Sequence, residues 1–438
     1  MASALHLPGR WAVLAAVFAL LVSARDARAQ ELGSDAFSAL DLLARGPELG
    51  ASDVPGETRA RRATADIASR TLVAPPTKPP EQVSSDPSSP EPSAEVAVPP
   101  SRWIHAERPG FKSLPAVAAV VPGLVLHGVG PWLAGDAKTG RRLFALEGAG
   151  LGLIAVGGVP IVLTGASRRT IGPLYAVTLA GAGLFSISAL SNLYAVLAPA
   201  VEPGVVPASL PPLELEMGYQ YVHDPSFPYD HFVALGAVAR VSAFRLEATA
   251  RLAPGEGNTR VRAGGAYRLM GAPEQTLGQG DGTSLDAELF ALYHRFPTEG
   301  FTVGGAEAGL RGRYAMARLS PRLEGSFAEA SLGMSFQGYS YPGPPSDDNL
   351  HEQLLFTFGY GVWLGRGGPL RGEAMLFYDH RKDDLVGGMR TLGGGVVGSV
   401  GVRGRVLLSN SWGIAAEAQA GGALVGRVSL LYALGGET

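Results

Sequence analysis

The chain has 438 residues, of which 60 are glycine, 17% are charged and none is cysteine, and its formal net charge is -3. The absent cysteines exclude disulfide scaffolds, thiol chemistry and Cys-ligated metals, and the slight acidic balance lacks the basic surplus of a nucleic-acid binder, so no nucleic-acid partner is expected. Low charge with heavy glycine use is apolar for a soluble enzyme of this length.

The N-terminus reads MASALHLPGRWAVLAAVFALLVSARDARAQ: Arg10 precedes an apolar run from Trp11 to Ala24, and Ala27-Arg28-Ala29 precedes Gln30. This predicts a signal peptide over 1–29, cleaved after Ala29, because the apolar run is short for a membrane span. Residues 30–113 are dense in Pro, Ser and Glu, as in APPTKPPEQVSSDPSSPEPSAEVAVPPS. Such a segment buries too little apolar surface to offset its ordering entropy and is expected to be a disordered periplasmic linker. Within it, Phe37, Leu40 and Leu43 share helical spacing in DAFSALDLLARG and predict a short docking helix.

Residues 114–200 differ in kind. Three apolar stretches, joined by the polar GDAKTGRR and GASRRT, predict about three helices long enough to span a bilayer. In an exported chain such helices should be retained by the inner membrane, but dilution with Gly and Ala weakens insertion. Gly148, Gly152, and Gly181 near Phe185 are small residues expected to let helices approach closely. GAGLGLIAV, with Gly150 and Gly152, copies part of a dinucleotide fingerprint but lacks the preceding strand and the downstream acid. The stretch PGLVLHGVGPWLAGDAKTG (122–140) resembles Pro-Gly-x-x-x-His-Gly-x-Gly regions of bacterial envelope proteins, which implies a membrane-associated helical element and no known chemistry. A lone His127 beside glycines is expected to be a helix-end hydrogen bonder, since metal sites need further ligands at fixed spacing.

From Leu213 onward the period is two. In AFRLEATARL, Phe244, Leu246, Ala248, Ala250 and Leu252 alternate with Arg245, Glu247, Thr249 and Arg251, and LELEMGYQY, LRGEAMLFYD and GRVSLLYAL repeat the device. About twelve such segments run from 213–222 to 423–435, most of them long enough for a tilted bilayer crossing. Connections after segments one, seven and nine are long, those after two, eight and ten are short, and 271–282 breaks the rule. This pattern resembles that of Gram-negative outer-membrane β-barrels. The resemblance implies a mainly β fold with an antiparallel transmembrane barrel over 201–438, lipid as its surroundings and the cell outer membrane as its location. Tyr219, Tyr267, Tyr293, Trp363, Tyr378, Trp412 and Tyr432 would then form interfacial girdles. A soluble β-sandwich would also alternate, with shorter strands and a solvated polar face.

The face opposite lipid would carry Glu214, Glu216, Arg245, Glu247, Arg251, Arg260, Arg262, Arg268, Asp286, Glu288, Glu307, Arg311, Arg313, Glu329, Arg371, Glu373, Arg403, Arg405, Glu417 and Arg427. Two readings follow: a structural salt-bridge network filling a narrow lumen, or a pore lining in which Arg clusters favour anions. The first is preferred at this strand number. A lipid hydrolase would need a Ser-His arrangement, and neither a Gly-x-Ser-x-Gly elbow nor a ligand spacing surrounds His223, His231, His294, His351 or His380. Neither catalytic residues nor a metal or cofactor is implied; Asp347, Asp348, Asp383 and Asp384 read as solvated loop charge. The expected role is a structural anchor or narrow solute channel, with docking of an envelope partner through the helical region as the alternative.

Overall fold

A computed structural model describes residues 113–435 apart from 166, 199–202, 224–230, 298–299, 341–349, 368, 381–397 and 422. The expected signal peptide, the linker up to residue 112, its 35–46 helix and the four loop aspartates lie outside the described residues. Twelve strands follow the helical region: β1 (Leu213–His223), β2 (His231–Val241), β3 (Phe244–Ala253), β4 (Asn258–Met270), β5 (Ser284–Arg295), β6 (Thr302–Ala315), β7 (Ser326–Ser340), β8 (Leu350–Leu364), β9 (Arg371–Asp379), β10 (Ser399–Leu407), β11 (Trp412–Ala420) and β12 (Leu424–Leu434). Each pairs antiparallel with its sequence neighbours, and β1 closes on β12 from Leu213↔Leu434 to His223↔Leu424. Closure removes the sheet edges a sandwich would keep.

Alternation turns this ring inside out relative to a soluble protein. Met217, Leu289, Val428 and Leu430 are more than half exposed on the outer wall, while Glu214, Arg260, Asp286, Glu307 and Glu329 are buried within. An even strand number puts both barrel ends on one rim, here called the lower rim. The connections at 242–243, 365–370 and 408–411 also lie there.

The helical region has four helices, α1 (Ser113–Val120), α2 (Val129–Leu133), α3 (Ala137–Thr164) and α4 (Arg168–Leu197). Two are long where about three were expected. The first apolar stretch breaks at Pro122-Gly123, and Gly128 adopts a left-handed φ of 98° before α2. Asn192 holds this broken stretch from both sides: its Oδ1 accepts from Gly128 N (3.0 Å) and Gly130 N (3.3 Å), and its Nδ2 donates to Ala119 O and Gly123 O. The buried Glu147 accepts from His127 N at 2.9 Å, and the His127 ring packs on Phe185 with its Nε2 at 3.2 Å from Leu124 O. The Pro-Gly-x-x-x-His-Gly-x-Gly spacing thus builds an irregular turn whose backbone groups are paired by side chains of the long helices.

α3 and α4 form a hairpin lying on the outer wall of the barrel. Along α4, Tyr175 meets His380 (4.9 Å between rings), Gly183 sits on Phe358, and Tyr194 meets Tyr360 (6.1 Å), all beside β8 and β9. Leu143, Ile187 and Ala195 join Tyr360, Met316 and Leu323 in one apolar cluster. At the lower rim, Asp136 caps α3 through Thr139 N (3.0 Å) and pairs with Arg322 (2.8 Å), while Arg142 donates to Leu319 O. The remaining faces expose Val156, Val159, Leu163 and Ile171.

Glycines set the helix separation, as expected for Gly181 but not for Gly148 and Gly152. A Cβ on Gly150 would stand 2.8 Å from Phe185 N and one on Gly181 2.6 Å from Gly150 O, whereas Gly148 and Gly152 face open space. Gly150→Leu or Gly181→Leu should therefore destabilise the hairpin by about 1–3 kcal/mol through overpacking. Gly148→Leu and Gly152→Leu should be near neutral. Protease resistance of residues 137–197 across the four variants checks this; equal sensitivity of all four would contradict it.

Candidate functional site: the charged lumen and its floor

The inward phase of the strands brings arginines and carboxylates into one interior. Arg245 reaches Glu247 (2.5 Å), Glu274 (2.8 Å), Asp286 (3.5 Å) and Glu288 (2.9 Å). Glu329 gathers Arg311 (2.9 Å), Arg313 (2.7 Å) and Arg403 (2.9 Å), and Arg313 continues to Glu373 at 2.8 Å. Arg262 pairs with Glu307 (2.8 Å), Arg427 with Glu417 (2.7 Å) and Glu216 (3.5 Å), Arg268 with Asp286, and Arg405 with Glu214. Arg251 and Arg260 stand opposite each other in the β3–β4 register, and Arg371 lines the lower part of the interior. Guanidinium planes also stack on rings: Arg262 lies 3.4 Å from the Phe290 centroid and Arg313 4.1 Å from that of Phe327.

The two signs interleave around the wall. An ion-selective pore segregates charge so that a field of one sign acts on the permeant ion, whereas here most arginines named above are spent on a neighbouring carboxylate. Two chambers remain, of about 130 Å³ near the lower rim and about 240 Å³ above it. Both have room and polar partners for water.

Two segments outside the strand ladder close the lower end. One is the strap from Pro203 to Pro212 that leads into β1; the other is the 271–283 connection, which contains a short 3-10 helix, Glu274–Gln279. They bond to each other (Leu210 N to Glu274 O, 2.9 Å; Gly278 N to Ala208 O, 2.8 Å) and to the wall (Val205 N to Gly365 O, 2.9 Å; Arg240 Nη1 to Pro211 O, 2.8 Å). Val206, Leu210 and Leu277 pack with Phe327, Trp363, Met375 and Phe377 into an apolar floor.

One lumen feature, Glu274, escapes a reading by alternation, whereas Arg240 and Trp363 keep the inward phase of β2 and β8. Glu274, which ties Arg240, Arg245 and Arg268 together, lies in a connection with no strand period, and Arg240 was not singled out. Trp363, expected in an interfacial girdle, is only 4% exposed and belongs to the floor. Its phase with Thr357, Gly359 and Gly361, opposite Glu373, carried that signal. Tyr378 is likewise beneath α4, stacked on Phe358 and His380, rather than in a girdle; Tyr219, Tyr267, Tyr293 and Trp412 are exposed on the outer wall.

Among the described residues no group of three or more His, Asp or Glu is arranged to hold a metal ion. His231 meets Tyr219, His294 meets Asn258 and His380 meets Tyr378; none of these contacts is a Ser-His pair.

No family model and no curated protein matches the chain. Among solved structures it is similar to the KdgM porin in complex with disordered oligogalacturonate (10% identity, 50% of this chain and 99% of that one, TM-score 0.32). It is also similar to the translocator domain of the autotransporter NalP from Neisseria meningitidis (13%, 60% and 98%, 0.29) and to the outer membrane protein Omp33 of Acinetobacter baumannii (8%, 51% and 98%, 0.27).

Burial raises the carboxyl pKa of Glu274, but Arg245 and Arg240 outweigh it and hold the group down to about 2 from an ordinary 4.5. A pKa depressed on folding stabilises above 4.5, and that contribution disappears as pH falls through 2. At neutral pH it is worth about 3 kcal/mol. The urea midpoint of the wild type should exceed that of Glu274→Gln above pH 5 and converge on it by pH 2. A gap that does not change with pH would contradict this assignment.

Proposed function

We propose that the chain is an outer-membrane barrel that anchors its N-terminal segment to the envelope, with a lumen that is closed in the observed state. The observation that carries this reading is the pairing of an apolar outer wall, extended by an apolar hairpin, with an interior of neutralised charge above an apolar floor. Only contact with acyl chains makes such an exterior favourable, and unpaired charge in so narrow an interior would be costly. Short turns belong on the periplasmic side of such barrels, which makes the lower rim periplasmic. The helices α3 and α4 are each long and apolar enough to cross a membrane.

Docking of a partner through the helical region would have to occur within the lipid, because the free faces of the hairpin are apolar.

The chain should fractionate with the outer membrane and migrate faster unheated than boiled. Single cysteines define its orientation, since the natural chain has none. A Cys at Glu256, in the exposed 254–257 turn, should react with a membrane-impermeant maleimide on intact cells. A Cys at Asn410, exposed in the 408–411 turn, should react only after permeabilisation, and one at the outward Leu430 in neither case. Recovery in the soluble periplasm, or labelling of Leu430→Cys in membranes, would sink the proposal.

A further inference from the structure

The route of the chain between hairpin and barrel carries a consequence for the lumen. The foot of α4 rests on the outer wall at β7 and β8, yet the chain must next reach β1, which lies nearly opposite β8 in the ring. The strap covers that distance across the floor; Pro203 to Pro212 can span at most about 30 Å when extended. Helix foot, strap and wall meet at one point. Tyr194 Oη donates to Glu324 O at 2.7 Å, and Gly325 has a left-handed φ of 82°. A Cβ there would stand 2.6 Å from Gly204 O, 2.7 Å from the Pro203 Cβ and 3.0 Å from Tyr194 Oη. No residue of the strap belongs to the strand ladder, so the strap can leave the floor without breaking a hydrogen bond between strands of the wall.

We infer that the barrel is a gated passage for small polar solutes, in which the strap is the gate and the docking of the hairpin on the outer wall is what keeps it shut. The inference rests on the membrane reading above but adds an open state to it. With the strap withdrawn, the chambers would be continuous with the lower rim. Their interleaved arginines and carboxylates would give a water-filled path with little preference between anions and cations.

The contact to loosen is the dock. At Gly183 a Cβ would stand 3.1 Å from the Phe358 ring, so Gly183→Leu should lift α4 off the wall. Tyr194→Phe removes only the hydrogen bond at the foot. A lock is available where the strap touches the second floor segment. Gly278 N donates to Ala208 O and so brings Ala208 beside the next residue, Gln279, both exposed. Gly278 itself has no room for a side chain, since a Cβ there would lie 2.7 Å from the Ala208 Cα, and the chain has no cysteine of its own to compete with an engineered pair at 208 and 279.

The experiment is single-channel recording of the full chain in planar bilayers, on protein shown by gel mobility to be folded. The wild type should be closed nearly all the time, and Gly183→Leu and Tyr194→Phe should each raise open probability at least about tenfold, with near-equal K⁺ and Cl⁻ permeability. Adding Ala208→Cys and Gln279→Cys to either variant should close it when oxidised and reopen it on reduction. Folded dock variants that stay closed, or openings indifferent to the lock, would overturn the gate and leave the anchor reading standing. A wild-type chain conducting steadily with the lock oxidised would instead overturn the closed lumen itself.

Discussion

In hydrocarbon every backbone N-H and C=O must find its partner within the protein, and under the membrane placement proposed above this constraint falls on both halves of the molecule. The barrel meets it by closure: β1 and β12 pair along their whole length, and no edge is left. The helical region meets it by side chains. Between α1 and α2 the chain is not helical, and there Asn192 and Glu147 supply the acceptors and donors that a regular helix would have supplied itself. The glycines of that turn are required by contact, since a Cβ on Gly123 would be 2.2 Å from Ala119 O.

The interior follows from the same exclusion of water. Charges set inside a narrow barrel need partners, and arginine supplies several donors in a fixed fork that can serve two carboxylates at once, as Arg313 does with Glu329 and Glu373. Pairing joins neighbouring strands across the interior and neutralises most of the charge named there. What closes the barrel is therefore not the charge but the apolar floor, with Glu274 fastening one of its two pieces to three arginines.

Much of the barrel was legible because a strand with one apolar outer face and one polar enclosed face has to alternate, and β3 does so from Phe244 to Leu252. The phase of Arg245, Glu247 and Arg251 along β3 is visible in the ten letters of AFRLEATARL. The floor was not legible. Neither the strap nor the 271–283 connection has a repeating period, and Glu274 acquires its role only when the connection folds back under β2, β3 and β4 and meets Arg240, Arg245 and Arg268. The helices were visible as apolar runs, but their place on the outer wall depends on complementary surfaces, Gly183 against Phe358 and Tyr194 against Tyr360, that no periodicity encodes.

The polar side chains inside the hairpin also bear on export. Glu147, Ser188 and Asn192 are buried and bonded once α1 to α4 are assembled, yet on the proposed route to the outer membrane a nascent chain would carry them into lipid without those partners. Each such residue, together with the glycines, makes premature lateral escape from a translocation channel less favourable. Under the proposed outer-membrane placement, a segment built in this way would cross one bilayer as an unfolded thread and become compatible with a second only after folding against a finished wall, which ties the order of assembly to the composition of the hairpin.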